Sequence, residues 1–272
     1  MQKVFEELTV AFRKNSGKLE ESEYIEIVTK HTTIAEDSET MFILLQASGY
    51  PIDYEDKNNR YILKTYFTPS HKQRYCVIDI ETNGSKPDTS QVIEIGALIV
   101  EDGEIIDKFE TFVSCTFLPD YITKITGIEP IDLIDAPTRK EALIALRHFM
   151  GDAIFVAHNA EFDFGFLNAS FDRFGLGHIG NLKLCTIDLA KRTFKSPKYG
   201  LAYLIDELNI ETATHHRALS DAICALKVMQ KSFESLPKYV QSSDELLQFS
   251  VSSKKERGIK DRLEQKGVTK VS

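Results

Sequence analysis

The chain has 272 residues, 42% of them hydrophobic, enough apolar material for a substantial core and too long for one small domain. A net charge of −8 excludes a protein that grips nucleic acid or an anionic membrane through bulk positive charge. The four cysteines, Cys76, Cys115, Cys185 and Cys224, lack Cys-x-x-Cys spacing, and no long apolar span or secretory leader is visible. The expectation is a soluble, cytoplasmic protein with reduced thiols and no membrane partner.

In chain order, helical periodicity covers residues 3–14, 21–29 and 36–47. The stretch GYPIDYEDKNNRYILKTYF (49–67) then reads as two short strands joined by a polar turn at 55–59. Three helices followed by a hairpin resemble a winged helix, and residues 1–70 are assigned to such a unit. Its third helix carries Glu36, Asp37 and Glu39 and no lysine or arginine, which opposes entry into a DNA groove. A protein-docking or intramolecular role is expected instead.

Residues 71–236 form the next unit. Strands at 75–81, 92–100 and 105–113 read as antiparallel, with Glu101-Asp102-Gly103-Glu104 as the second hairpin turn. In VIDIET (77–82), Asp79 and Glu81 alternate onto one face, roughly 7 Å apart. Like charges that close, at the end of an apolar strand, call for a cation between them. After a helix at 139–150 and a strand at 153–157, HNAEFDFGFL opens a helix over 159–174. Helical spacing puts Asp163 on the stripe of Phe166, Leu167, Ser170, Phe171 and Phe174, where a carboxylate is out of place. A strand at 182–185 precedes two more helices. On the last of these Asp221 shares a stripe with Ala218, Ala222, Ala225 and Met229, and His216 stands just before its start. The class is α/β, a mixed sheet flanked by helices.

Hard oxygen ligands without a convergent Cys or His set suit Mg²⁺ or Mn²⁺. Acids from several elements can hold two such ions roughly 4 Å apart and clamp the attacking and leaving oxygens of a phosphodiester. A histidine, with an ordinary pKa of about 6.5, is suited to take the proton from the attacking water, and His216 is the candidate base.

With these motifs in place the sequence resembles the DEDDh class of 3′-to-5′ exonucleases, which includes the proofreading epsilon subunit of bacterial DNA polymerase III, ribonuclease T and oligoribonuclease. The resemblance covers residues 74–233. Asp79 and Glu81 match the first motif, Asp163 the second, and His216 with Asp221 the third; VIEIGA (92–97), ITGI (125–128) and GLAYLIDELNI (200–210) are smaller echoes. It implies a ribonuclease H-like five-stranded sheet. It further implies that Asp79, Glu81, Asp163 and Asp221 hold two metals, that His216 is the general base, and that Thr82 and Asn159 contact substrate.

Other residues take plainer readings. His215 is a turn neighbour of His216 pointing elsewhere, and His158 is a strand-end residue with its hydrogen bonds satisfied. Glu94 and Asp188, lone acids in apolar surroundings, are assigned structural roles because the acidic tetrad is already complete. Phe166, Phe171 and Phe174 fall at core spacing, whereas Phe162 and Phe164 lie off the stripe as candidates for base stacking.

Residues 71–236 hold 17 basic and 24 acidic groups, so metals must supply much of the local attraction for a nucleic acid. From 237 to 272 the balance turns basic, 8 against 5, and the composition becomes serine-rich and charged. DELLQFSVSS (244–253) reads as a short strand, a helix end or a docking peptide, and the residues beyond it as a partner-binding tail with helical character. The expected function is release of nucleoside 5′-monophosphates from single-stranded 3′ ends, DNA favoured over RNA, in proofreading or repair with a DNA polymerase III catalytic subunit or sliding clamp. The alternatives are an exoribonuclease of the same class and a winged-helix regulator with an inactive exonuclease scaffold.

Overall fold

A computed structural model describes residues 1–31, 38–212 and 216–265. The first unit contains α1 (Gln2–Lys14), β1 (Lys18–Glu20), α2 (Glu21–His31), α3 (Ser38–Ala47), β2 (Ile52–Glu55), β3 (Arg60–Leu63) and α4 (Lys64–Phe67). Spacings of three and four along α1 place Val4, Phe5, Leu8 and Phe12 on one buried face. They pack with Tyr24, Met41, Leu45, Tyr50 and Leu63 into a separate hydrophobic cluster. The expected hairpin is β2–β3, and β1 adds a third antiparallel strand in the order β1-β3-β2. At three residues β1 is too short to display a period-two pattern. Glu36 and Asp37 lie outside the described residues, whereas α3 exposes Ile43 and Leu44.

The second unit runs β4 (Tyr75–Thr82), β5 (Val92–Glu101), β6 (Glu104–Phe112), α5 (Asp120–Thr126), α6 (Arg139–Met150), β7 (Ile154–Ala157), α7 (Ala160–Arg173), β8 (Lys183–Cys185), α8 (Thr186–Thr193), α9 (Leu201–Glu207) and α10 (Ala218–Phe233). Its five strands lie in the order β6-β5-β4-β7-β8. The first three are antiparallel, and β7 and β8 run parallel to β4. The β5–β6 turn places Asp102 at φ 50° and Gly103 at φ 81°, the two left-handed residues that a tight primed hairpin requires. Three helices follow β8 rather than the expected two, because the segment 194–200, with Pro197 inside it, interrupts the helical run between α8 and α9. The sequence reading also passed over α5.

The sheet is covered on both faces. Ile78, Ile80 and Phe155 pack with Leu143 and Leu146 of α6 and Phe166, Leu167 and Phe171 of α7. Val77, Leu98 and Val156 pack with Ala222, Ala225, Leu226 and Met229 of α10. The second cluster also takes in Leu246, Leu247 and Phe249 of α11 (Ser243–Val251), so most of the 244–253 stretch, whose form the sequence left open, is a helix packed on the core. A final helix, α12 (Lys254–Gln265), follows. The first unit is tied to the rest by Arg13, whose Nη2 lies 2.8 Å from Oδ1 of the fully buried Asp244, and by the Gly180 amide donating to the Ser48 carbonyl at 2.7 Å. No helix among the described residues is long and apolar enough to cross a membrane.

Candidate active site

β7 pairs with β4 only along Tyr75–Val77, so from Ile78 onward that side of β4 is open. Asp79 and Glu81 lie in this free, carboxyl-end portion. Across the other edge they face Gly96 and Glu94 of β5. Asp163 enters from the α7 side, buried at 3% exposure in the first turn of its helix, with a backbone hydrogen bond at Ile80 reaching its carboxylate. Asp221 enters from the first turn of α10. His216, exposed and at φ 59°, stands immediately before the N-cap residue Arg217. Donor atoms of Glu81, His216 and Asp221 all lie within 4.8 Å of one another, a grouping able to hold a metal ion.

The electrostatics of this cluster are unfavourable by themselves. Burial, followed by the charges of Asp163, Asp221, Glu81 and Glu94, pushes Asp79 well above the usual carboxylate range. Burial and the neighbouring Asp221 and Glu94 raise Glu81 to about 7, against the opposing pull of Arg217. Burial likewise raises Asp163 to about 7, with Glu81 adding to the shift and backbone hydrogen bonds at Asp163 itself and Ile80 opposing it. Among the described residues none of Asp79, Glu81 and Asp163 forms an ion pair with lysine or arginine. A set of hard oxygen donors, crowded and short of cationic partners, fits a divalent cation.

The remaining residues singled out from sequence separate cleanly. The Thr82 hydroxyl donates to the Gly84 carbonyl at 2.8 Å. Asn159 is an exposed left-handed residue at φ 71° whose side chain makes no capping bond to α7. His158 sits between the Thr186 hydroxyl at 2.8 Å and the Tyr199 carbonyl at 2.9 Å, and burial lowers its pKa to about 4. Asp188 lies 3.8 Å from Arg192 on the same helix. Phe164 meets Phe155 edge to face at 5.2 Å in the core, leaving Phe162, 37% exposed, as the more accessible ring. His215 lies outside the described residues.

Residues in VIEIGA shape the site more than its sequence reading anticipated. Glu94 is fully buried and accepts from Arg217 Nε at 3.0 Å, Arg217 Nη2 at 2.8 Å and the Ala218 amide at 3.1 Å. A Cβ at Gly96 would fall 2.1 Å from the Leu219 nitrogen and 2.3 Å from the Ala218 carbonyl carbon, so only glycine lets α10 approach β5 this closely. The available signal was an acid and a glycine inside an otherwise apolar strand.

Comparison with known proteins agrees with this architecture. The profile of the RNase T family, described as Exonuclease, matches residues 76–229. The chain is 37% identical over 196 residues, 71% of its length, to the DNA polymerase III PolC-type of Staphylococcus saprophyticus, and 40% identical over 167 residues, 59% of its length, to that of Staphylococcus haemolyticus. It spans only 13% and 12% of those relatives. The fold is shared with Escherichia coli exonuclease I in a complex with single-stranded DNA, at a TM-score of 0.55 and 15% identity over 61% of this chain and 42% of the other. A second exonuclease I structure gives a TM-score of 0.54 at 16% identity, covering 65% and 43%. With more than half its length matched by the profile, the chain belongs to the RNase T exonuclease family.

Proposed function

We propose that this exonuclease removes nucleoside 5′-monophosphates from the 3′ ends of single strands, DNA favoured over RNA, with two Mg²⁺ or Mn²⁺ ions held by Asp79, Glu81, Asp163 and Asp221. The observation that carries the reading is the charge imbalance at the end of β4, where burial and mutual repulsion raise Asp79, Glu81 and Asp163 together. Bound divalent ions supply positive charge at the scissile phosphate and make an attacking water more acidic. The protein's own contribution is to hold its acids rigidly on three elements, which keeps the geometry fixed without reorganisation during the reaction. His216, exposed at the mouth of the cluster, accepts the water's proton. Thr82 and Asn159 line the approach of the 3′-terminal nucleotide, Asn159 with a side chain free of any capping bond.

The relatives named as DNA polymerase III support a role in replication proofreading or repair beside a polymerase catalytic subunit or sliding clamp. Three units serve this role, residues 1–70, 71–236 and 237–272. Since α11 is buried against the sheet, the basic α12 is the portion of the last unit offered to a partner. The test is incubation of 5′-labelled DNA and RNA single strands of matched sequence with Mg²⁺, Mn²⁺ or chelator. A metal-dependent descending ladder, faster on DNA, is expected. Faster decay of RNA would turn the reading to an exoribonuclease, and activity unaffected by chelator would refute the metal assignment.

A further inference from the structure

We infer that Glu94 is a positioning residue for the reaction: through Arg217 and the Ala218 amide it fixes the backbone that presents His216 to the acidic cluster. The inference rests on His216 being the general base.

His216 is not a glycine, yet its φ is 59°, in the left-handed region that side chains rarely occupy. A residue keeps such a conformation only where neighbouring structure over-determines it. The next two residues are held by a single carboxylate. Oε1 of Glu94 receives Nε and Nη2 of Arg217 at 3.0 and 2.8 Å, and Oε2 receives the Ala218 amide at 3.1 Å. Both oxygens are thus committed to the two residues that follow His216.

The anchor is itself rigid. Glu94 is fully buried on β5, paired in register with Glu81 of β4, so the strand that carries a proposed metal ligand also registers the His216 anchor. Gly96 brings the start of α10 against the same strand. Arg217 is braced further, 3.8 Å from Glu110 and with its guanidinium 5.3 Å from the Phe112 ring centroid. Breaking these bonds would leave a buried charge without its donors, which is costly. Arg217 and the start of α10 are therefore pinned, and the imidazole one residue earlier is presented from a fixed base.

The test is a double-mutant cycle on 5′-labelled single-stranded DNA with Mn²⁺, using Glu94→Gln, His216→Ala and the pair. Glu94→Gln is expected to lower kcat about 10- to 100-fold, the range seen when residues supporting a reacting group are removed. KM should change little at saturating Mn²⁺. In the His216→Ala background the same change should cost no more than about 2-fold, because its effect passes through the imidazole. Equal losses in both backgrounds, or wild-type kcat for Glu94→Gln, would overturn the inference while leaving His216 as the base. Full activity in His216→Ala alone would instead remove the base assignment on which the inference stands. If Glu94→Gln fails to fold, Arg217→Lys, which keeps the charge and loses the paired guanidinium contacts, should show the same non-additivity.

Discussion

Glu94 and Asp244 are as deeply buried as any acids among the described residues, and each has an arginine: Arg217 for the first, Arg13 for the second. Asp79, Glu81 and Asp163, at the end of β4, share their space with one another and with Asp221 instead. Asp163, 3% exposed, is nearly as buried as the paired acids, whereas Asp79 and Glu81 are half-buried, so depth alone does not sort the two groups. The distinction is whether the fold supplies the compensating charge. Where it does, the acid locks two elements together; where it does not, a bound cation would supply the missing charge in the proposed function.

Substitutions in the two groups should behave in opposite ways. Asp79→Asn should abolish cleavage, a loss on the order of 1,000-fold or more, while leaving the metal-free protein as stable as wild type or more so, because it relieves repulsion. Cleavage rates and thermal unfolding of the same preparation check both halves. His216→Ala should lower kcat roughly 100- to 10,000-fold with metal binding retained, as read by Mn²⁺ titration. Loss of metal affinity in that variant would make His216 a ligand, a role its place beside Glu81 and Asp221 also permits. Among the paired acids, Arg13→Met leaves Asp244 buried without its guanidinium and should cost roughly 2–4 kcal/mol in denaturant unfolding, with specific activity of the folded protein unchanged.

Buried acids and a buried histidine give pH effects of opposite sign. Glu81 and Asp163 titrate at about 7 in the folded chain, above their unfolded values of about 4, so the metal-free protein loses stability as pH rises from about 4 to about 7. Glu81→Gln should flatten that loss by removing one of the two titrations. His158 is depressed to about 4 from an unfolded value of about 6.5, so its contribution is present above pH 6.5 and is lost as pH falls toward 4. The His158 effect amounts to about 3 kcal/mol at most. Comparing His158→Gln with wild type by urea unfolding at pH 7.5 and 4.5 isolates it.

The acids of the candidate site stood out in the sequence because each breaks a local pattern: Asp79 and Glu81 a buried strand, Asp163 and Asp221 apolar helical stripes. The antiparallel run of β4, β5 and β6 was legible for a similar reason, since these strands are long and the β5–β6 turn is recognisable. What escaped was short or non-local. β1 has three residues and gains its meaning only from pairing with β3, about forty positions later. α11 begins among serines and an acid whose partner, Arg13, is 231 positions away, so its burial left no trace in its own neighbourhood. Glu94 looked like a lone acid because its donors, Arg217 and the Ala218 amide, come from the far end of the unit.

The most direct test of the account is calorimetric titration of Mn²⁺ into the wild-type protein and into Asp79→Asn at pH 7.5, each in the presence of a nucleoside 5′-monophosphate. Two ions per wild-type chain, with binding largely lost in Asp79→Asn, is the predicted result. Equal binding by the two proteins, or none by either, would contradict the claim that the uncompensated acids at the end of β4 form the metal site.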